Sequence, residues 1–223
     1  MVPVFTGAIL LIKFISKELG LIKFIKYYAL EIYTVISMLI LVIAGIMGDL
    51  SVIQKFVLVY IFLFILHEWE EGKYPGGFID LISSMIEINV TEEQRKASRI
   101  PTGILLLLFT IVPFCLDNYV IPILVTAFLG IFEGFIHIFG IKLFHRKIPY
   151  TPGLITAELE LITSIVLFVY LTKNHLATGF DYLFGALIMA ACFMIMQKTL
   201  TMSIGMKYSD LPKKLKKQLL KNC

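Results

Sequence analysis

Residues 28–71 read YALEIYTVISMLILVIAGIMGDLSVIQKFVLVYIFLFILHEWEE. Two apolar stretches, Tyr28 to Gly48 and Ser51 to Glu71, flank the short turn GDLS. Each matches the roughly 20 helical residues needed to cross a bilayer core. The first carries one charge, Glu31, and in the second the charges gather at the end, in HEWEE. A pair of membrane-crossing helices is the expectation, and four more segments repeat its pattern: Pro101 to Leu116, Tyr119 to Phe144, Gly153 to Lys173 and Gly179 to Ser203. The third span is short and contains Pro113, which a packed membrane helix tolerates.

The rest of the composition agrees. Of the 223 residues, 58% are hydrophobic and 16% charged, with mean hydropathy +0.88. A soluble domain is about half apolar and about a quarter charged. The fold class expected is all-α, a polytopic membrane bundle of about six helices forming one membrane domain over 1–223, with membrane lipids as its surroundings. No charged leader precedes the first apolar run and no small-residue cleavage site follows it, so residues 1–27 are read as mature protein. There Lys13, Lys17, Gly20 and Lys23 fall at helical spacing opposite Ile9, Ile12, Ile15 and Leu19, the pattern of an amphipathic interfacial helix. A seventh span is the alternative, with those lysines then inside the hydrocarbon. Residues 28–203 hold the six spans and 204–223 form a basic tail. Thr91-Glu92-Glu93-Gln94 has the form of a capping box, so the one long polar connection is expected to carry a short surface helix towards Arg99.

Basic residues set the orientation, since Lys and Arg accumulate in cytoplasmic loops. With both termini in the cytoplasm of a cell-membrane protein, all of the 20 Lys and Arg except Lys55 and Lys173 fall on the inner side. Read this way the basic residues mark topology, and no nucleic-acid partner is expected. Cys115, Cys192 and Cys223 lie far apart without zinc-motif or disulfide spacing, and Cys223 lacks the residues a prenylation box needs.

Ionisable groups inside membrane helices cost roughly 2.5–3.5 kcal/mol each and are functional candidates by default. In HEWEE, His67, Glu70 and Glu71 are three and four apart and can face one point, while Glu68 faces away, towards the headgroups. Glu133 and His137 are again four apart, and His145 follows two turns later. Glu158 and Glu160 open the fifth span, where a carboxylate is ordinarily a solvated first-turn group. Glu31 is expected at the interface, paired with Lys26 or Lys55. In the orientation above, His67, Glu70, Glu71, His137, His145 and Glu158 share the cytoplasmic half, with Glu133 near the middle. Imidazoles and carboxylates in one protected layer suit zinc, iron or manganese.

HEWEE, the Glu133/His137 pair and the run Lys147-Ile148-Pro149-Tyr150-Thr151-Pro152-Gly153-Leu154-Ile155-Thr156-Ala157 together resemble the HXXEE family of bacterial and fungal membrane proteins. The resemblance implies a small multi-pass membrane protein whose named motif here is His67, Glu70 and Glu71, and it implies no particular reaction. The CAAX-type prenyl endopeptidases make a poorer match, because Pro75 stands where their motif has arginine and Glu133 is the residue four before His137.

The expectation is therefore a membrane-embedded metal-dependent enzyme, a hydrolase or di-metal oxidoreductase, acting on a lipid-soluble or membrane-bound substrate. The cofactor would be a divalent transition metal, zinc or iron, as one or two ions. His67, Glu71, Glu133, His137 and His145 are the candidate ligands, with Glu70 and Glu158 as catalytic carboxylates. The alternatives are a proton or metal-ion transporter using the same groups, and a non-enzymatic protein in which the cluster is structural. The oligomeric state is not legible.

Overall fold

The structure, a computed structural model, describes residues 20–214 and 216. Most of the expected N-terminal interfacial helix and the end of the basic tail lie outside the described residues, although 20–27 are helical. Eight helices follow: α1 Ala29–Met47, α2 Val52–Gly72, α3 Phe78–Met85, α4 Glu92–Ala97, α5 Arg99–Cys115, α6 Val120–Leu143, α7 Leu154–Lys173 and α8 Gly179–Ser203. The described residues contain no strand. Six stretches are long and apolar enough to cross a membrane: α1, α2, the run Glu92–Cys115, α6, α7 and α8. The all-α bundle and the number of spans thus follow the sequence reading.

Local chemistry sets the boundaries. Ser51 caps α2, its Oγ accepting from Gln54 N at 3.1 Å while Gln54 Oε1 accepts from Ser51 N at 3.0 Å. The expected capping box at Thr91 and Gln94 begins α4, at 3.2 and 2.9 Å. The third span starts at Arg99, ahead of the expected Pro101, because a proline in a first turn forfeits no helical hydrogen bond. Pro113 has no N–H for the carbonyl of Phe109 one turn back, and the Thr126 hydroxyl of α6 donates to that carbonyl instead. The proline is thereby satisfied from a neighbouring helix.

α2 packs against α1, α5 and α7, and α6 against α5, α7 and α8. At the α6–α7 crossing, a Cβ on Gly130 would lie 2.5 Å from Ser164 Oγ, and one on Gly134 would lie 2.7 Å from Leu161 Cβ. These two glycines, four apart, let the backbones meet without side chains between them. The close approach brings Glu160 of α7 against α6. The bundle centre is filled by Val57, Tyr60, Phe64, Ile123, Leu124 and Leu167. Outward, Val35, Leu39, Val42 and Ile46 form one exposed stripe along α1, and Phe180, Leu187 and Ile195 are exposed on α8. In a bilayer such faces meet lipid. Glu31 pairs with Lys73, at the end of α2, rather than with Lys26 or Lys55.

Candidate metal centre

α2 ends, α6 ends and α7 begins at the same end of the bundle, and there their polar side chains meet. His67 and His137 are buried, with rings perpendicular at 88° and centroids 5.1 Å apart. Glu71 Oε1 lies 3.7 Å from His67 Nε2 and 3.4 Å from His137 Nε2. Glu133 Oε2 lies 3.7 Å from His137 Nε2. His67, Glu133 and His137 each place a ligand atom within 4.8 Å of the others. The four residues singled out from two i,i+4 pairs therefore converge.

The hydrogen bonds behind the rings decide which nitrogen faces the centre. The Thr151 hydroxyl donates to the carbonyl of His137 at 3.1 Å, so it can only accept from His137 Nδ1, also at 3.1 Å. The Thr156 hydroxyl donates to Glu70 Oε2 at 2.6 Å and accepts from His67 Nδ1 at 3.0 Å. Assigned from this network, both imidazoles carry their proton on Nδ1 and turn an Nε2 lone pair inward. The Nε2 of His137 then faces acceptor oxygens of Glu71 and Glu133, and it has no hydrogen-bond partner among the described residues.

Magnitudes separate two explanations. Imidazolium–carboxylate hydrogen bonds would close to about 2.7–2.9 Å. Donors sharing a tetrahedral ion with bonds of about 2.0–2.2 Å sit about 3.3–3.6 Å apart. The Glu71–His137 separation of 3.4 Å lies in that range and the two of 3.7 Å lie just beyond it, and all three are longer than direct hydrogen bonds.

Several residues hold this geometry. Arg99 Nη1 donates to Glu68 Oε2 at 3.0 Å and to Glu71 Oε2 at 3.3 Å, which aims the other oxygen of Glu71 at the rings. Glu68 is therefore buried in an ion pair and not at the headgroups as expected, because α5 covers that side of α2. Glu70 accepts from Tyr150 Oη at 2.9 Å, Ile155 N at 3.2 Å and Thr156 N at 3.0 Å in addition to the Thr156 hydroxyl. It thus caps the N-terminus of α7 from outside that helix. Burial and the Glu70 carboxylate push the Tyr150 hydroxyl well above its usual pKa.

Other expectations need correction. Two positions along α7 is a turn of about 200°, so Glu158 lies away from the face shared by Thr156 and Glu160. Glu160 is the one at the site, fully buried rather than solvated, 3.9 Å from His67 Nδ1 and with neither oxygen hydrogen-bonded among the described residues. α6 stops at Leu143, and His145 is exposed in the turn beyond, at φ 48°, outside the cluster. Arg99 carries no site role in the sequence reading, and Thr151, Gly153 and Thr156 enter it only within the motif run, without a role of their own. A surplus of carboxylates beside one arginine at a span's start was the only signal for Arg99.

Gly153 closes the cluster from the side of the connection. Its φ is +95°, and a Cβ there would come within 2.6 Å of His137 Cε1, 2.8 Å of Glu71 Cγ and 2.9 Å of His67 Cε1. Gly153→Ala should therefore lower metal retention by about tenfold or more, the scale of lost ligand positioning, in a protein that remains folded. Gly179→Ala, where a Cβ meets nothing within 4 Å, is the control. Equal retention in both variants, measured by elemental analysis of purified protein, would show that the cluster tolerates displacement and is not a coordination site.

On the other side the cluster opens into a cavity of about 310 Å³, walled by apolar side chains of α2, α3, α5, α6 and α8. The ring of Phe78, first in α3, lies against His137 with centroids 5.1 Å apart. No family model, curated protein or solved structure matches this chain.

Proposed function

We propose that the protein is a membrane-embedded, metal-dependent enzyme acting on a lipid-soluble substrate, with one divalent transition metal held by His67, His137, Glu71 and Glu133. The observation that carries this reading is the inward pair of Nε2 lone pairs, fixed by the threonine hydroxyls and facing carboxylates at separations suited to coordination. Such an ion would polarise a carbonyl or acidify a bound water, which makes hydrolysis the favoured chemistry. Glu133 is the donor free to move. Each histidine is held behind its ring by a threonine and Glu71 by Arg99, whereas Glu133 has no hydrogen bond among the described residues and borders the cavity. It can release a coordination position and accept a proton from water, as a general base must. Arg99, Thr151, Thr156 and Glu70 orient these groups.

The dinuclear reading, with oxidation as its chemistry, is favoured by one observation, the unpartnered Glu160 carboxyl beside His67. The transport reading has less support. Towards the opposite end of the bundle, beyond the Tyr60–Ser164 hydrogen bond of 2.8 Å, the core is filled by Val57, Ile123, Leu124, Leu167 and Leu171. A relay across both leaflets would need polar steps there. In the orientation set by the basic residues, the site lies in the cytoplasmic half of the membrane.

Elemental analysis of protein purified without chelator tests the proposal. About one equivalent of zinc, iron or manganese is expected, and about two would favour the dinuclear form. Protein that neither carries nor takes up a stoichiometric ion would leave the cluster as a structural polar network.

A further inference from the structure

We infer that the cavity takes a single-chain amphiphile with an uncharged polar head, the chain lying among α3, α6 and α8 and the head at the two histidines. This inference rests on the metal-enzyme reading for what happens at the head, but the fit of chain and head stands on the cavity itself. Ile79 and Ile82 of α3, Leu129 and Ile136 of α6, and Phe193 and Met196 of α8 line the apolar part. His67, His137, Glu71 and Glu133 border the same space, and Ser83, Ser98, Thr102, Gln197 and Thr201 add uncharged polar lining. A ligand that satisfies both kinds of wall is apolar along most of its length and carries one polar group for the histidine cluster.

Volume limits the chain. At roughly 30 Å³ for a water-sized unit, 310 Å³ holds about ten such units. That is room for one chain of about ten carbons with a small head. Surrounding lipid is as apolar as the cavity wall, so the chain gains little by leaving the bilayer. The wall therefore selects shape, and the histidine cluster supplies the preference for binding.

Charge selects the head. Among the described residues Arg99 is the only Lys or Arg lining the cavity, and its Nη1 already serves Glu68 and Glu71. Glu133 and Glu160 line the same space. The charge of a divalent ion would be balanced by Glu71 and Glu133, and that of Arg99 by Glu68, so a carboxylate or phosphate head would find no net positive charge to receive it. An ester or amide oxygen needs no counter-charge and can approach the histidine pair.

The test uses the full chain in lipid nanodiscs with decyl acetate carrying a diazirine in its chain. Photolysis and peptide mass spectrometry should place label on cavity residues such as Leu129, Phe193 and Met196. Unlabelled decyl acetate should compete at least about tenfold better than decanoate or decyl phosphate, and dipalmitoyl glycerolipids should not compete. Met196→Trp, which fills the cavity, should remove these labels while leaving metal content and the labelling of lipid-facing Ile165 and Val166 unchanged. Label confined to lipid-facing residues, or decanoate competing as well as the ester, would overturn the inference. Protein that takes up no stoichiometric metal yet shows the cavity labels and the head preference would refute the metal-enzyme reading and leave this ligand class standing. Metal-loaded protein without cavity label would do the reverse.

Discussion

Purified His137→Ala protein is expected to bind divalent metal at least about a hundredfold more weakly than wild type, and to be no less stable than wild type once both are stripped of metal. The first effect follows from losing an Nε2 that no other group replaces, since His137 is the imidazole that lies within 4 Å of both Glu71 and Glu133. The second is less intuitive and separates the metal reading from the structural one. Without an ion the lone pairs of two neutral imidazoles face carboxyl groups that must take up protons to stay buried there, so the loss of one ring removes little favourable interaction, and the repulsion it relieves offsets the cavity it leaves. With an ion present, wild type gains RT ln(1 + [M]/Kd), about 2.7 kcal/mol at a hundredfold excess over Kd, and the variant gains almost nothing. Thr151→Val should fall between, at roughly 10- to 100-fold weaker binding, because it removes only the partner that orients the ring. If the cluster served packing alone, His137→Ala would destabilise the metal-free protein and added zinc would shift neither melt.

How much of this was legible beforehand depended on whether a residue acts along its own helix or across to another. The spans announced themselves because a bilayer requires length and apolarity together, and α6 and α8 end within a residue of the expected positions. The pairs His67/Glu71 and Glu133/His137 were legible because i,i+4 spacing fixes a common face before any packing is known. Glu68 was misplaced for the same reason. The reading assumed that α2 has a wet or lipid-facing side at its end, but α5 covers that side and makes it an ion pair. Glu158 and Glu160 illustrate a choice that sequence leaves open. Either could have faced inward, and the register was decided by Gly130, where the carbonyl of Glu160 reaches the α6 backbone. Thr151 and Gly153 belong to a connection, whose course is set by the helices it joins.

Replacing Arg99 with methionine should cost about 3–5 kcal/mol, the scale measured when one partner of a buried ion pair is removed, and should lower the melting temperature on the order of 10 °C. Arg99, Glu68 and Glu71 are all less than a tenth exposed, and a single guanidinium nitrogen serves both carboxylates. Removing it strands two carboxylates at the end of α2 with no second arginine or lysine among the described residues of the cavity wall. Lysine is a poor substitute, because the guanidinium plane packs over Gly72, where even a Cβ would lie 3.3 Å from Arg99 Cζ. Two comparisons give the prediction its direction. Glu68→Gln in the Arg99→Met background should recover a large part of the loss, since one of the two stranded charges is gone. Added zinc should stabilise Arg99→Met more than it stabilises wild type, because a bound ion becomes the remaining counter-charge for Glu71. A variant that melts with wild type would mean that Arg99 contributes nothing to holding the carboxylates. Equal zinc stabilisation in the two proteins would mean that Glu71 does not contact the ion, and would reduce the proposed ligand set to His67, Glu133 and His137.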